Sequence, residues 1–462
     1  MKKKLFAILF VVLFITSCAT VQEEIIPEFE KIDLSVKNFD GKEYIIAQDN
    51  TNDIGNIFFY SKDSLYYDLL LAHIDKIEKQ HNVQLKIITS LGIGSDIQNN
   101  LFTSLVSDIK MCDFVYFGSD NANMRAAQAG TLYPLNELPD IIDLSDSEKY
   151  GPINILECCM AKGNVYGVIP NNWPQKSNDG NVSTLFVINE TLIQKYGLED
   201  PRDFYEQNTW NLSKLEEITP LFHVEDGDKD IKAFLGHSAA FARGFSGAYK
   251  LTPIYEKDGE LLPVTSNPTL ITAIEWAREY ITKYADDFTF LSRWDAWKDL
   301  SNGDCVMALG ETMNIIEIAK EMENFGIVPF PVADQYDCKD IGMTYSAMTT
   351  MSIFSGVESP EECASIIDIL FEDIEGVSKD DHVESLYKTL FFDKRDAELY
   401  VSLYKNAVYD YYGIGGTSLQ TIEGLYQTKT GQEIVSSLEG VMDEQMEINI
   451  IPNYLAMQEY NK

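Results

Sequence analysis

Between Tyr44 and Phe117 the hydrophobic pattern switches repeatedly between the period of a strand and that of a helix, and no other feature restricts the fold as strongly. Tyr44-Ile45-Ile46-Ala47 is a short apolar run ending in polar Gln48-Asp49-Asn50. Leu65, Leu69, His73 and Ile77 then recur at helical spacing, and Val83-Gln84-Leu85-Lys86-Ile87 alternates with period two. Ser95-Asp96 opens a second helix with Ile97, Leu101, Leu105 and Ile109 on one face, and Asp113-Phe114-Val115-Tyr116-Phe117 closes at Gly118-Ser119-Asp120-Asn121. Strand, helix, strand, helix, strand in this order implies parallel βαβ units with helices over both sheet faces.

A connecting stretch leads to a second lobe, which starts at the strand Thr184 to Asn189. Asn123 to Ala129 reads as a short helix stopped by Gly130, and Leu132-Tyr133-Pro134-Leu135-Asn136 as an exit segment. Lys162-Gly163-Asn164 and Lys257-Asp258-Gly259-Glu260 are hairpin signals, because Gly and Asp accept the positive φ of tight turns. Thr184 to Asn189 is a strand, and Asn267-Pro268 starts a helix through Tyr284, with the proline where its missing N–H costs nothing. Cys305 to Leu309 and Gly326 to Pro331 are strands, and Met343 to Phe354 is extended. Ser359-Pro360-Glu361-Glu362 predicts a capping box in which Glu362 reaches back. Helical periods dominate the remainder. At 462 residues the chain suits two or three packing units.

The N-terminus sets the compartment. Met1-Lys2-Lys3-Lys4 precedes the apolar run Leu5 to Ile15, which is too short to span a bilayer and has the layout of an export signal. Ile15-Thr16-Ser17-Cys18 resembles the lipobox of bacterial lipoproteins, which implies cleavage before Cys18, a lipid on its thiol and a location on the outer face of the cell membrane. Residues 1–17 are then the signal, and the acidic stretch 18–42 a tether. Cys112, Cys158, Cys159, Cys305, Cys338 and Cys363 follow no disulfide spacing and read as buried thiols.

Much chemistry is excluded or weak. With 36 Lys and Arg against 73 Asp and Glu the net charge is −37, so phosphate backbones are repelled and nucleic acid is not an expected partner. Five histidines supply neither HExxH nor paired metal spacing, and GxSxG and CxxC are absent. Asp226, Asp228 and Asp230 mimic the start of a calcium loop, but Ile231 stands where glycine is required and His237 where a bidentate glutamate is required, so a solvated turn is expected. No catalytic residue, metal or cofactor is expected.

An ordered series of motifs resembles the extracellular solute-binding proteins, family 1, in the manner of the maltose-binding protein group. Asp113-Phe114-Val115-Tyr116 runs into Ala127-Gln128-Ala129-Gly130-Thr131-Leu132-Tyr133-Pro134-Leu135, and Gly163-Asn164-Val165-Tyr166-Gly167-Val168-Ile169-Pro170 follows. Val187-Ile188-Asn189-Glu190, Lys195-Tyr196-Gly197-Leu198, Thr209-Trp210, Gly303-Asp304-Cys305-Val306-Met307-Ala308 and Gly326-Ile327-Val328-Pro329-Phe330-Pro331 complete the series.

The resemblance implies a two-lobe periplasmic-binding-protein-like fold of type II, with crossing hinge strands and a helical C-terminus. It places residues 43–136 and 338–395 in an N-terminal lobe, 137–337 in a C-terminal lobe, and 396–462 in helices packing mainly on the second lobe. It further implies a monomeric, non-catalytic receptor that captures a carbohydrate in the interlobe cleft and delivers it to an ABC importer permease. A cationic or peptide-like solute and an anchored glycosidase are the alternatives. Open α/β sheets bind ligands beyond the carboxyl ends of strands. The candidate contacts are therefore Asn50, Asp53, Asp120 and Asn121 from the first lobe, and Trp173, Arg243, Glu311, Thr312 and Tyr345 from the second lobe and the return crossing.

Overall fold

The computed structural model describes residues 33–35, 37–48, 57–58, 62, 66–92, 95–118, 122–151, 156–173, 180–293, 295–339, 344–377, 390–405, 408–409, 422 and 424–460. The signal, Cys18 and most of the tether lie outside these residues.

The first lobe opens with β1 (Glu43–Gln48), α1 (Tyr67–His81), β2 (Gln84–Ile88), α2 (Ser95–Ser107), β3 (Phe114–Gly118) and α3 (Ala122–Gln128). β1 pairs in parallel with β2 on one side and β3 on the other. Phe114 to Phe117 are all buried, as a parallel strand covered on both faces requires. α1 buries Leu70, His73, Ile74, Ile77 and His81. Ile109, expected on the buried face of α2, falls beyond the helix end and is 61% exposed. Leu34 and Phe39 are buried ahead of β1; there the Phe39 N–H donates to the His81 carbonyl, and Lys37 Nζ donates to Ser365 Oγ.

The chain from α4 (Ser147–Tyr150) through the hairpin β4 (Met160–Ala161) and β5 (Asn164–Val165) to Trp173 corrects the boundary drawn at 137, because its contacts are with the first lobe. Lys149 Nζ and the Tyr150 hydroxyl both donate to Asp368, Val168 bridges to Met351, and Asn172 Nδ2 donates to the Phe371 carbonyl. The two central residues of the β4–β5 turn, Lys162 and Gly163, have φ of 53° and 80°.

The second lobe contains β6 (Gly180–Asn189), α5 (Glu190–Tyr196), α6 (Pro201–Glu206), α7 (Leu212–Phe222), β7 (Val224–Asp226), β8 (Lys229–His237), α8 (Ser238–Ala248), β9 (Ile254–Lys257) and β10 (Glu260–Pro263). It continues through α9 (Pro268–Lys283), β11 (Phe288–Leu291), α10 (Trp297–Asn302), β12 (Cys305–Glu311), α11 (Thr312–Glu321) and β13 (Phe325–Pro329). β6 lies antiparallel to both β12 and β13, and β12, β8 and β11 run parallel. The Asp258-Gly259 turn joins β9 to β10 with φ of 53° and 82°, and Asn267 caps α9 through the Thr269 N–H, as the sequence predicts. The acidic stretch at 226–230 is the β7–β8 turn, where Asp226 accepts from Lys195 and Tyr196. Phe186 stacks on Phe330 with centroids 5.6 Å apart, and Phe234 on Phe288 at 4.7 Å; each fully buried ring contributes about 1.5–3 kcal/mol.

The chain returns through β14 (Thr344–Ile353) to α12 (Pro360–Leu370) on the first lobe, then through α13 (Lys394–Lys405), β15 (Val408–Tyr409), α14 (Gly431–Gln445), a π-helical turn (Met446–Ile450) and α15 (Ile451–Tyr460). Ser359 caps α12, but Glu362 does not reach back: its carboxylate takes Lys42 Nζ at 2.8 Å and the Tyr44 hydroxyl at 2.6 Å. The reciprocal capping box stands instead at Thr430 and Glu433, opening α14. α13 is tied to the second lobe by Arg202, which reaches Glu190 and Asp200 at 2.6 Å and Asp396 at 3.0 Å; Asp396 also accepts the Ile327 N–H. Burial pushes the Asp396 carboxyl up to about 6, with the Arg202 guanidinium offsetting part of the rise. Cys112, Cys159, Cys305, Cys338 and Cys363 are buried and unpaired.

Candidate functional site

Two strands, β6 and β14, pair with each other where they pass between the lobes. Gly180 and Val182 of β6 pair with Met348 and Tyr345 of β14, while Ser183 and the stretch from Leu185 to Asn189 pair within the second lobe. Thr349 to Ile353 of β14 pair with Gly118 to Phe114 of β3, in the first. Register therefore fixes what surrounds the crossing. β14 is antiparallel to β3, so β3 ends at the crossing with Gly118; β1 and β2 run with β3 and end there too, at Gln48 and Ile88. β12 is antiparallel to β6 and ends at the same level, with Glu311 paired to Ser183; β8 and β11 run with β12 and end at His237 and Leu291. The carboxyl ends of the parallel strands of both sheets thus converge on one region, which is where open α/β sheets collect ligands.

Asn50, Asp53, Asp120 and Asn121 lie outside the described residues, directly after the tips of β1 and β3. Glu311 and Thr312 are the last residue of β12 and the first of α11, and Tyr345 lies in β14. Adjacent residues of β6, Val182 and Ser183, pair with Tyr345 and Glu311, so register brings these two candidates to opposite edges of the same strand. Arg243 is on α8 and buried to 3% exposure inside the second lobe.

Trp173 is a correction. It belongs to the first lobe, is 4% exposed, and is enclosed by Phe58 and Phe371 at 5.5 Å and His73 at 6.4 Å between centroids. A ring so buried, enclosed by other rings at steep angles, offers no surface for stacking a solute.

Two positions at the strand tips were missed by sequence reasoning. Gln48 is 2% exposed, and its Oε1 accepts the Phe58 N–H at 2.8 Å, tying back the segment that leaves β1. His237 ends β8 and caps α8, its Nδ1 accepting the Ala239 N–H at 3.1 Å; the neutral ring therefore carries its proton on Nε2. The available signal was position alone: each is the last residue of an apolar run. Among the described residues, no group of His, Cys, Asp and Glu side chains is arranged to hold a metal ion.

Comparison with known proteins agrees with this geometry. A search of curated protein sequences gave no significant match. Among solved structures, the chain superposes on a cyclo/maltodextrin-binding protein complexed with maltotetraose with a TM-score of 0.60 at 13% identity, covering 87% of this chain and 97% of that one. An extracellular solute-binding protein from Staphylococcus aureus in complex with maltose gives 0.59 at 10% identity, covering 88% and 98%. UgpB from Mycobacterium tuberculosis in complex with glycerophosphocholine gives 0.54 at 14%, covering 82% and 95%. These likenesses establish the type II binding-protein fold, two α/β lobes joined by crossing strands. The profile of one family matches residues 72–373, from α1 to just past α12. The chain belongs to the bacterial extracellular solute-binding proteins, a family of extracytoplasmic, non-catalytic receptors.

Proposed function

We propose that this protein captures a carbohydrate between its lobes and delivers it to the membrane permease of an ABC importer, while a lipid on Cys18 holds it to the outer face of the cell membrane. The observation that carries this reading is the convergence of strand ends from both sheets on the β6–β14 crossing, with Glu311 and Tyr345 flanking one strand there. Closure of the lobes bends β6 and β14 where they cross. A solute favours closure by the contacts that the closed state adds. The sugar-bound relatives of this fold support the ligand class.

Thermal denaturation with maltose, maltotetraose and ribitol tests the reading. A sugar that binds only the folded chain, present at a hundredfold excess over its Kd, adds about 2.7 kcal/mol and raises the midpoint. A midpoint unmoved by every sugar tried overturns the substrate class.

The charge of −37 favours a second reading, a cationic or peptide-like solute. Added salt would weaken binding of such a ligand and leave that of a neutral sugar unchanged.

A further inference from the structure

The C-terminal helix adds a connection between the lobes that is not covalent. α14 belongs to the second lobe: it packs along α9, and the Gly431 N–H donates to Glu275 at 2.6 Å. The β4–β5 hairpin belongs to the first, since Asn136 binds both the Asn164 side chain at 2.9 Å and the Val165 N–H at 3.0 Å. The continuation of α14 touches that hairpin. Asn453 Oδ1 accepts the Gly163 N–H at 2.8 Å, Asn449 Oδ1 accepts the Lys162 N–H at 3.3 Å, and Asn453 Nδ2 lies 3.4 Å from the Met160 carbonyl.

Each part of this contact has a physical cause. The central residues of a two-residue turn donate to nothing within their own hairpin, so both N–H groups point outward to an external acceptor. The turn meets the helix backbone closely: a Cβ on Gly163 would sit 3.1 Å from the Pro452 carbonyl oxygen, so glycine serves both the positive φ and the approach. The π-helical turn aims the acceptors. Its Ile451 N–H bonds to the Met446 carbonyl, and the extra residue rotates everything downstream by about 100° relative to a plain α-helix. Asn449 and Asn453, one turn apart, then face the hairpin together, and Gln445 Oε1 takes Asn449 Nδ2 at 2.8 Å, fixing which way that amide points. Both asparagines are at most 1% exposed.

We infer that Asn449 and Asn453 form a breakable polar catch between the lobes that sets the resting angle of the clamp. Two backbone donors and two side-chain acceptors are a contact that can be made and lost as a unit. A rotation about the crossing strands must part it or preserve it whole, because each half is rigidly fixed to its own lobe. The inference rests on the clamp reading above but not on the identity of the solute.

Small-angle scattering of the ligand-free protein tests it. Asn449→Ala with Asn453→Ala removes both acceptors and is expected to shift the radius of gyration beyond replicate error. Asn453→Asp keeps an acceptor for the Gly163 N–H and is expected to restore the wild-type profile when Asn449 is intact. Scattering identical to wild type in the folded double variant overturns the catch, whatever maltotetraose does; sugars that fail to bind while the profile shifts overturn only the carbohydrate reading. Hydrogen exchange in the unmutated protein gives an independent readout. The Gly163 amide should exchange through an opening easier than global unfolding. Exchange of Gly163 as slow as that of the buried amides of β13 would overturn the catch.

Discussion

Glu157 is a carboxyl with no partner for its Oε1, 4% exposed on the first lobe. Burial alone pushes its pKa from the ordinary 4.5 to about 8. A folded-state pKa raised in this way contributes stability that is complete below the unfolded value and is lost as pH rises through the folded one. Glu157→Gln should therefore unfold at the same denaturant midpoint as wild type near pH 4 and be more stable by about 1–3 kcal/mol at pH 8, in urea titrations at the two pH values. Parallel curves with no pH-dependent gap would show that the carboxyl is solvated. Individual residues are also where sequence reading met its limit. Trp173 followed a strand-like run and a proline, like a loop aromatic offered to a ligand, yet three rings from α1, the 57–58 turn and the end of α12 close over it. Those neighbours are far away in sequence, and no local pattern encodes them. The same holds for Glu362, whose helix-capping role was displaced by Lys42 and Tyr44 across the lobe.

At the level of elements, local chemistry was a better guide. Asp258-Gly259 specified its turn and Asn267-Pro268 its helix start, because both signals act within a few residues. The π-helical turn carried no such mark beyond Pro452, and the stretch from α4 to Trp173 joined the first lobe through ion pairs and bridges that only the folded chain makes. Gly244 in α8 shows packing overruling propensity. Alanine there should gain about 1 kcal/mol of helix preference, but its Cβ would fall inside the van der Waals envelope of the Phe330 ring, which is stacked on Phe186. Overpacking of that kind costs about 1–3 kcal/mol, so Gly244→Ala should lower the urea midpoint. A raised midpoint would mean that the ring moves aside freely.

For the whole molecule, the two-lobe plan was legible because alternating periods demand parallel sheets and the motifs recur in family order. The pairing of β6 with β14, which sets where the strand tips meet, was not, since it joins residues more than 160 positions apart. The lipid anchor proposed at Cys18 is tested at this scale. Cys18→Ser should move the protein from the membrane pellet to the soluble fraction of disrupted cells while leaving its melting temperature unchanged; continued sedimentation with membranes would exclude the lipid.

Leu34 and Phe39 enter the fold beside the start of β1, at the base of the first sheet, a full strand length behind the mouth formed at Gln48 and Gly118. With the lipid proposed on Cys18, a receptor held from that base would stand with its opening turned outward, toward the medium it samples. To hand cargo to a permease it would have to roll over, and the length of chain from Cys18 to Asp33, about 50 Å in fully extended contour, bounds how far such a roll could reach.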